Sequence, residues 1–463
     1  MDVKNIRLFN TLSREKETLE PIIPEEISIY QCGPTVYWTQ HIGNMRAMVM
    51  ADLLVRMFDY DGFKVKFVRN YTDVGHMTSD EDAGEDKMEK GALREGKTPT
   101  EIAEKYISIF EEDLASLNTL TPYHRPKATE HISQMIAFIK TLIEKDFAYV
   151  TPLAVYFDIS KAKDYTRLSH QNLEKNIEDA GHGSVSDPEK RNPADFAIWF
   201  FKAGVHEHAL QTWANPFSDK EGFPGWHIEC SAMIRSLMGD TIDIHMGGIE
   251  HISIHHTNEI AQSEALTGKP LANYWMHNEH LLVDGKKMSK SEGTSYTVTD
   301  IKEKGFDPLS LRYLFLNSHY KSKQNFTWEA LHGAEISLDK LKHHIGSVIG
   351  KVDEVYRSRF VEFITDDLNI PQALALAWEV AKDTTISPAD KTATLLDFDR
   401  IFGLNLAYQA PEEIPENILA LARKREEVRK AKNWAESDKI RDEARTLGYE
   451  IIDFPEGQKV AKI

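Results

Sequence analysis

The chain has 463 residues, 41% of them hydrophobic and 28% charged, with a formal net charge of −18. That length allows two to four domains with real cores, and the acidic balance argues against a protein that coats nucleic acid without specificity, although one basic face can still grip it. Two cysteines exclude a disulfide scaffold and suit a reducing cytosol; with no run of about 18 apolar residues and no apolar signal-peptide core, no membrane span is expected and a cytoplasmic location is.

From Ile27 to about Asn118 the pattern runs strand, loop, helix, strand, loop, helix. "EISIYQCG" reads as an apolar strand that ends in a loop. "NMRAMVMADLLVRMFDYDG" is amphipathic, with Met48, Leu53, Leu54 and Met57 at helical spacing and a stop at Asp61-Gly62. "KVKFVRNYTD" is a β-rich strand. Strands alternating with helices predict a parallel sheet with ligands at the strands' carboxyl ends. The acidic segment 74–97 has carboxylates, but its acid and glycine spacing fails the calcium-loop pattern, and it reads as a surface loop without an assigned role. A helix then starts at Thr98, with Pro99 in its first position and Glu101 three residues after the cap.

Residues 1–118 are thus the first half of an α/β unit, and 119–222 an α/β module inserted into it. The insertion carries a hairpin in "FAYVTPLAVYFDISK" and a long loop in "EDAGHGSVSDPEKRNPAD". Residues 223–275 form the second half, and 276–321 link it onward. Residues 322–407 read as a helical bundle, and 408–463 as a small C-terminal region with one charged helix, "ILALARKREEVRKAKNWAESDKIRDEARTLG", and a short tail.

Three stretches carry chemistry. In His41-Ile42-Gly43-Asn44, between a strand and a helix, Gly43 lets backbone approach a ligand, the helix start favours an anion, and His41 can donate to phosphate. Alone, the tetrapeptide is also what an ordinary helix start with a surface histidine looks like. In "GKKMSKSEGT", Lys287 and Lys290 sit three residues apart, so a loop there can clamp a triphosphate and stabilise the departing pyrophosphate. The third is a set of metal candidates, Cys230 in "GWHIECSAM" together with His245, His251, His255, His256 and Glu259. His255 and Glu259 at i, i+4 share one helical face; His256 and Glu259 at i, i+3 fit as well, and spacing leaves both open.

The His-x-Gly loop followed far downstream by K-M-S-K-S resembles the class I aminoacyl-tRNA synthetases. "CGPTVY", "VYFDISK", "NPADFAIW", "GWHIECSAM", "HHTNEIAQSEA" and "WAESDKIRDEA" resemble the cysteinyl-tRNA synthetases in particular, over nearly the whole chain. The resemblance implies a Rossmann-type parallel-sheet catalytic domain split by the insertion, then a helical bundle and an anticodon-binding region. It implies one zinc ion on Cys32, Cys230, His255 and Glu259, with substrate sulfur entering as a fifth ligand or displacing Glu259. Zinc prefers a thiolate to a neutral hydroxyl, which separates cysteine from serine better than an apolar pocket can, without an editing domain. The implied reaction is attack of the L-cysteine carboxylate on ATP, with Mg2+, then transfer to the 3′ end of tRNA-Cys by a monomeric enzyme. His41, Gly43, Asn44, Lys287 and Lys290 are the implied ATP residues, and His41, Lys287 and Lys290 stabilise the phosphate charge. Asn44 replaces the motif's usual second histidine, its amide still able to donate.

Gly33, Thr72, Trp226 and Glu250 are the expected amino-acid pocket. Glu250, in "HMGGIE", stands where the family usually has an aspartate. From Leu421 to Thr446 nine basic residues outnumber six acidic ones, with Trp434 among them. Trp434 and Arg441 are candidate tRNA contacts, against the plainer reading of a solvated helix anchored by its tryptophan. The nearest rival is the cysteine ligase of the mycothiol pathway, which has an amino-sugar acceptor and lacks this C-terminal region. A catalytically dead paralogue is opposed by the intact motifs.

Overall fold

The computed structural model describes residues 5–75, 87–171, 187–289, 293–407, 415–454 and 457–462. The central sheet has four strands in the order Ala272–Asn278, Ile242–Gly248, Glu26–Gln31 and Lys64–Arg69, all parallel. Ile27, Ile29 and Tyr30 are fully buried, as expected of a strand covered on both faces. The chain leaves Glu26–Gln31 in one direction to reach Lys64–Arg69, while the later strands add on its other side. The order therefore reverses beside Glu26–Gln31, and ligands of such sheets bind in the crevice this creates.

Helix Ile42–Asp61 makes the first crossover and ends at Gly62, whose φ of 92° only glycine adopts without cost. The helix predicted from Thr98 forms over Pro99–Ser116, with a reciprocal capping box between Thr98 and Glu101. The inserted segment builds a separate antiparallel sheet in the order Ala148–Val150, Ala154–Phe157, Phe196–Phe201 and Gly222–Pro224. Its first two strands are the expected hairpin. Helices Trp328–His343, Glu354–Thr365, Ile370–Lys382 and Pro388–Phe402 form the bundle.

The C-terminal region differs from the reading of one charged helix. Two helices form, Glu416–Lys430 and Trp434–Thr446. Lys432 between them takes a φ of 58°, and the Asn433 side chain accepts from the Glu436 N–H to start the second helix. The tail is an antiparallel hairpin of Tyr449–Phe454 and Gly457–Lys462. Among the described residues no helix is long and apolar enough to cross a membrane.

One buried ion pair joins the first crossover helix to helix Pro308–Leu316, which precedes the bundle. Asp52 is 2% exposed and Arg312 fully buried, with Arg312 Nη2 2.5 Å from Asp52 Oδ2. Arg312 Nε also donates to Phe402 O at 2.6 Å, and Nη1 to Leu117 O at 3.0 Å. Asp52 accepts from Arg56 Nε at 2.8 Å and from Leu120 N–H at 2.6 Å. Gly403 passes so close that a Cβ there would lie 2.7 Å from Arg312 Nη2. Arg312→Ala leaves a buried carboxylate with only part of its partners, and we expect a loss of about 3–5 kcal/mol in denaturant unfolding.

Asp113, on Pro99–Ser116, is 3% exposed, and its Oδ2 has no partner among the described residues. Burial pushes its carboxyl up to about 6, against the pull of Lys302. The folded state therefore holds this proton more tightly than the unfolded chain does. The stability it contributes is complete below about pH 4 and is lost as pH rises through 6. Asp113→Asn is expected to flatten that part of the stability–pH curve and to stabilise the protein at pH 7.5 by up to about 3 kcal/mol, measured by denaturant midpoints at pH 4.5 and 7.5.

Candidate functional site

Most functional side chains come off the carboxyl end of a central strand or the first turns of the helix that follows, whereas Trp226 and Cys230 follow strand Gly222–Pro224 of the inserted sheet. Cys32 immediately follows Glu26–Gln31 and keeps its N–H on the sheet, donating to Met246 O at 3.1 Å. At Gly33 the chain crosses the neighbouring strand-end so closely that a Cβ would lie 1.7 Å from Asn70 O. Only glycine permits that crossing. Asn70 Oδ1 then accepts the Gly33 N–H at 2.9 Å. Cys230 lies in helix Trp226–Met238, and His255, His256 and Glu259 open helix His255–Thr267. Helix Trp226–Met238 is seated by Gly225, where a Cβ would fall 2.1 Å from Ala197 O. Gln262 Nε2 ties the two helices by donating to Ser231 Oγ at 2.7 Å.

These elements converge on a dry cluster. Cys32, His255, His256 and Glu259 are all buried and each offers a ligand atom within 4.8 Å of the others. Cys230 Sγ lies 3.9 Å from Cys32 Sγ. That is far beyond a disulfide bond, and it matches the separation of about 3.8 Å between two thiolates that share a tetrahedral ion at about 2.3 Å. Cys32 Sγ is also 3.3 Å from His256 Nε2 and 3.7 Å from Glu259 Oε1. Two sulfurs, two imidazoles and a carboxylate without solvent form a donor set that fits zinc. Both histidines left open by the helical spacing reach it; His256 belongs to the mutually close group of four, and Cys230 adjoins that group through Cys32.

Further partners hold these donors. Glu259 Oε2 is 2.7 Å from His245 Nε2, and Oε1 is 2.6 Å from His255 Nε2. Burial works to raise the Glu259 carboxyl, but the His245 and His255 imidazoles outweigh it and hold the group below the usual carboxylate range. Burial would likewise lower His255, yet Glu259 and the Cys230 sulfur keep it up to about 10. The hydrogen bond from Cys32 draws Cys230 down to about 6 against the effect of burial, while burial and Cys230 push Cys32 up. His255 Nδ1 meets His227 Nδ1 at 3.0 Å. His256 Nδ1 meets His277 Nε2 at 2.7 Å, and His277 Nδ1 meets Thr11 Oγ1 at 2.8 Å. Such outer partners fix ring orientation and tautomer.

The cluster forms the floor of a cleft of about 340 Å³ lined in part by Cys32, Gly33, Thr72, Trp226, Cys230, Glu250 and His255. Gln40, His41 and Asn44 line the same cleft. Trp226 stacks on His255 with ring centroids 4.4 Å apart. Thr72 Oγ1 donates to buried Glu229 Oε2 at 2.9 Å, and burial, with the neighbouring Cys230 charge, pushes the Glu229 carboxyl well up. Glu250 is half exposed, and its carboxylate folds back over Gly248. His41 caps helix Ile42–Asp61, its Nδ1 accepting the Asn44 N–H at 3.2 Å. In a neutral ring the proton then sits on Nε2.

The two motifs expected to handle phosphate meet. His41 bridges to Thr297, and Ile42 N–H donates to Tyr296 O at 2.8 Å. A Cβ on Gly43 would lie 2.3 Å from Met288 Cε, so the loop bearing K-M-S-K-S rests on a glycine that leaves it room. Lys287 stands on the two-residue strand Lys286–Lys287, exposed. Lys290, and residues 76–86 of the acidic segment, lie outside the described residues.

Away from the cleft, Trp434 begins its helix 58% exposed and is therefore not an anchor for a core. The Arg429 guanidinium lies 5.9 Å from its ring centroid, and Arg441 pairs with Asp438 at 3.0 Å. His227, His277, Asn70 and Glu229 escaped the sequence reading. His227 and Glu229 flank Cys230 closely enough to have been found, because i−3 and i−1 share its helical turn. His277 sits on a separate strand, and nothing in its spacing links it to the cluster.

A family model described as "tRNA synthetases class I (C) catalytic domain" matches residues 18–336. Cysteine–tRNA ligase 1 of Burkholderia lata is 42% identical over 460 residues, covering 98% of this chain and 96% of its own. The cysteine–tRNA ligase of Caldicellulosiruptor saccharolyticus is 39% identical over 485 residues, covering 99% and 100%. In fold, the chain is similar to Mycobacterium tuberculosis methionyl-tRNA synthetase in complex with methionyl-adenylate, with a TM-score of 0.53 at 14% identity, over 82% of this chain and 90% of that one. A catalytic-domain match across most of the chain, and relatives aligned from end to end, show that it belongs to the cysteine–tRNA ligases of class I.

Proposed function

We propose that the protein activates L-cysteine with ATP to cysteinyl-adenylate and pyrophosphate, then passes the cysteinyl group to the 3′ end of tRNA-Cys. The observation that carries this reading is one cleft with a buried sulfur–imidazole–carboxylate cluster at one end and a helix start fit for phosphate at the other. A substrate whose thiol lies on the cluster points its carboxylate toward His41.

Cys32, Cys230, His255 and Glu259 would hold zinc, with His256 as a fifth donor within reach. Bound there, zinc supplies a soft Lewis acid that favours a thiolate over a hydroxyl. The chain's own residues do the rest. Trp226 walls the pocket and Glu250 offers a carboxylate to the substrate ammonium. Thr72, turned by Glu229, offers its hydroxyl oxygen to the same group. His41 Nε2–H and the positive end of the helix Ile42–Asp61 stabilise the α-phosphate as charge builds. Lys287 and Lys290 neutralise the pyrophosphate, together with Mg2+. No protein nucleophile is needed, because the acceptor ribose hydroxyl attacks the adenylate directly. The basic helix Glu416–Lys430 and the helix Trp434–Thr446 that follows it face the anticodon, with Trp434 and Arg441 as contacts. The protein acts as a cytoplasmic monomer.

Cysteine-dependent exchange of pyrophosphate into ATP, followed by charging of transcribed tRNA-Cys, tests the function. Both are expected, with serine supporting exchange at least about a thousandfold less well. Exchange without charging would transfer the reading to an amino-sugar ligase. For the metal, Cys230→Ser is expected to lose most of the bound zinc by elemental analysis and to raise the KM for cysteine. Full retention of metal would remove Cys230 from the ligand set.

A further inference from the structure

Cys32 and Cys230 are the only cysteines in the chain. They stand on either side of the inserted module, 198 positions apart in sequence, and their sulfurs meet at 3.9 Å. Both side chains are buried, yet both line the cleft, so a small solute that enters where the substrate does can reach them. The pair therefore has two properties at once. Its spacing suits a shared ion, and a closure of about 1.9 Å, divided between two side chains, would bring the sulfurs to the length of a disulfide bond, about 2.05 Å.

Zinc holds its cysteine ligands as thiolates, the form that oxidants attack. Among thiolates, access decides which react, and these two open on a cleft that admits a thiol. The step needs one co-reactant, a hydroperoxide. One thiolate attacks a peroxide oxygen: the S–O bond forms, the O–O bond breaks and hydroxide leaves. The other thiolate attacks that sulfur: the S–S bond forms, the S–O bond breaks and a second hydroxide leaves. Two electrons pass from sulfur to peroxide, and two protons from solvent turn the hydroxides into water. With no third cysteine in the chain, each sulfur has only the other as its partner within the molecule. Sulfurs joined in this way are no longer thiolates. The cluster keeps His255, His256 and Glu259, a set without the soft donors that favour zinc.

We propose that Cys32 and Cys230 form a reversible redox switch: a hydroperoxide joins them in a disulfide and expels zinc, and a dithiol, itself oxidised to a disulfide, restores both thiols and the site. This rests on the metal reading of the same cluster. The oxidant that closes the switch also converts free cysteine to its own disulfide. The pocket thus loses its seat for sulfur under the conditions in which the substrate thiol is scarce.

The test starts from the full chain loaded with zinc and treats it with hydrogen peroxide. Metal release is read from the absorbance of a chromophoric chelator, and the sulfurs from intact mass after alkylation under denaturing, non-reducing conditions. Loss of the bound zinc is expected in step with loss of both alkylatable thiols, and the mass is expected to fall by that of two hydrogens. Digestion is expected to yield one cross-linked pair of peptides, those holding Cys32 and Cys230, and dithiothreitol followed by zinc to restore thiols and metal. Cys32→Ser and Cys230→Ser each leave a thiol without a partner, which is expected to gain two oxygens that dithiothreitol does not remove. If neither variant folds, the native masses decide. Zinc release with oxygen added to the native sulfurs, a disulfide between two chains, or zinc and both thiols retained at a peroxide concentration that oxidises glutathione would each overturn the proposal. A chain that takes up no zinc fails at the metal reading, which the loading step reports before any peroxide is added, and the switch falls with it.

Discussion

Glu259 keeps a negative charge at a point no solvent reaches, and much of the catalytic domain follows from what that requires. An isolated carboxylate in such a place would take up a proton. Here each oxygen faces an imidazole, His245 from the central sheet on one and His255 from its own helix on the other. Those rings in turn need partners and positions. His227 meets His255, and His245 stacks against buried Trp275. The thiols complete the set, and their separation is that of atoms bound to a common ion. The cluster is thus anchored from two strands, two helices and one loop.

At the other end of the cleft the same economy holds with lighter parts. A glycine at 33 lets two strand-ends cross, and one at 43 lets the downstream lysine-bearing loop lean on the phosphate loop. Arg46, one helical turn beyond, is buried and donates to four main-chain carbonyls, those of Glu279, His280, His319 and Ser322. Those carbonyls belong to the chain just before strand Leu281–Val283 and to the segment leading into Gln324–Phe326. The two motifs, more than two hundred residues apart in sequence, are therefore neighbours on one frame.

Much of this was legible in the residues. Alternating strands and helices foretold the parallel sheet, and Thr98-Pro-Thr-Glu marked its helix start because a capping box is local chemistry. The cysteine beside the phosphate loop and the i, i+4 histidine and glutamate were visible too. What was not legible depended on contacts between distant segments. His277 reaches the cluster through His256, and no periodicity joins a strand residue to a helix twenty-one positions earlier. That one of the two Asn44 amide hydrogens is spent on Gln40 Oε1 was likewise not readable from the sequence. The break between the C-terminal helices turns on a left-handed Lys432, a residue with no special taste for it, and the capping side chain of Asn433 that follows.

The crossover helix Ile42–Asp61 bears His41 at its cap and Asp52 eleven residues on, in the ion pair with Arg312. At 1.5 Å per residue these lie about 16 Å apart along one stiff rod. The rod is a lever whose fulcrum is the salt link to helix Pro308–Leu316. A tilt of about 4° at Asp52 swings the phosphate loop by about 1 Å, a displacement that costs an enzyme of this kind about a hundredfold in rate. The helices that close the molecule's far side thus calibrate the angle at which the chemistry is held.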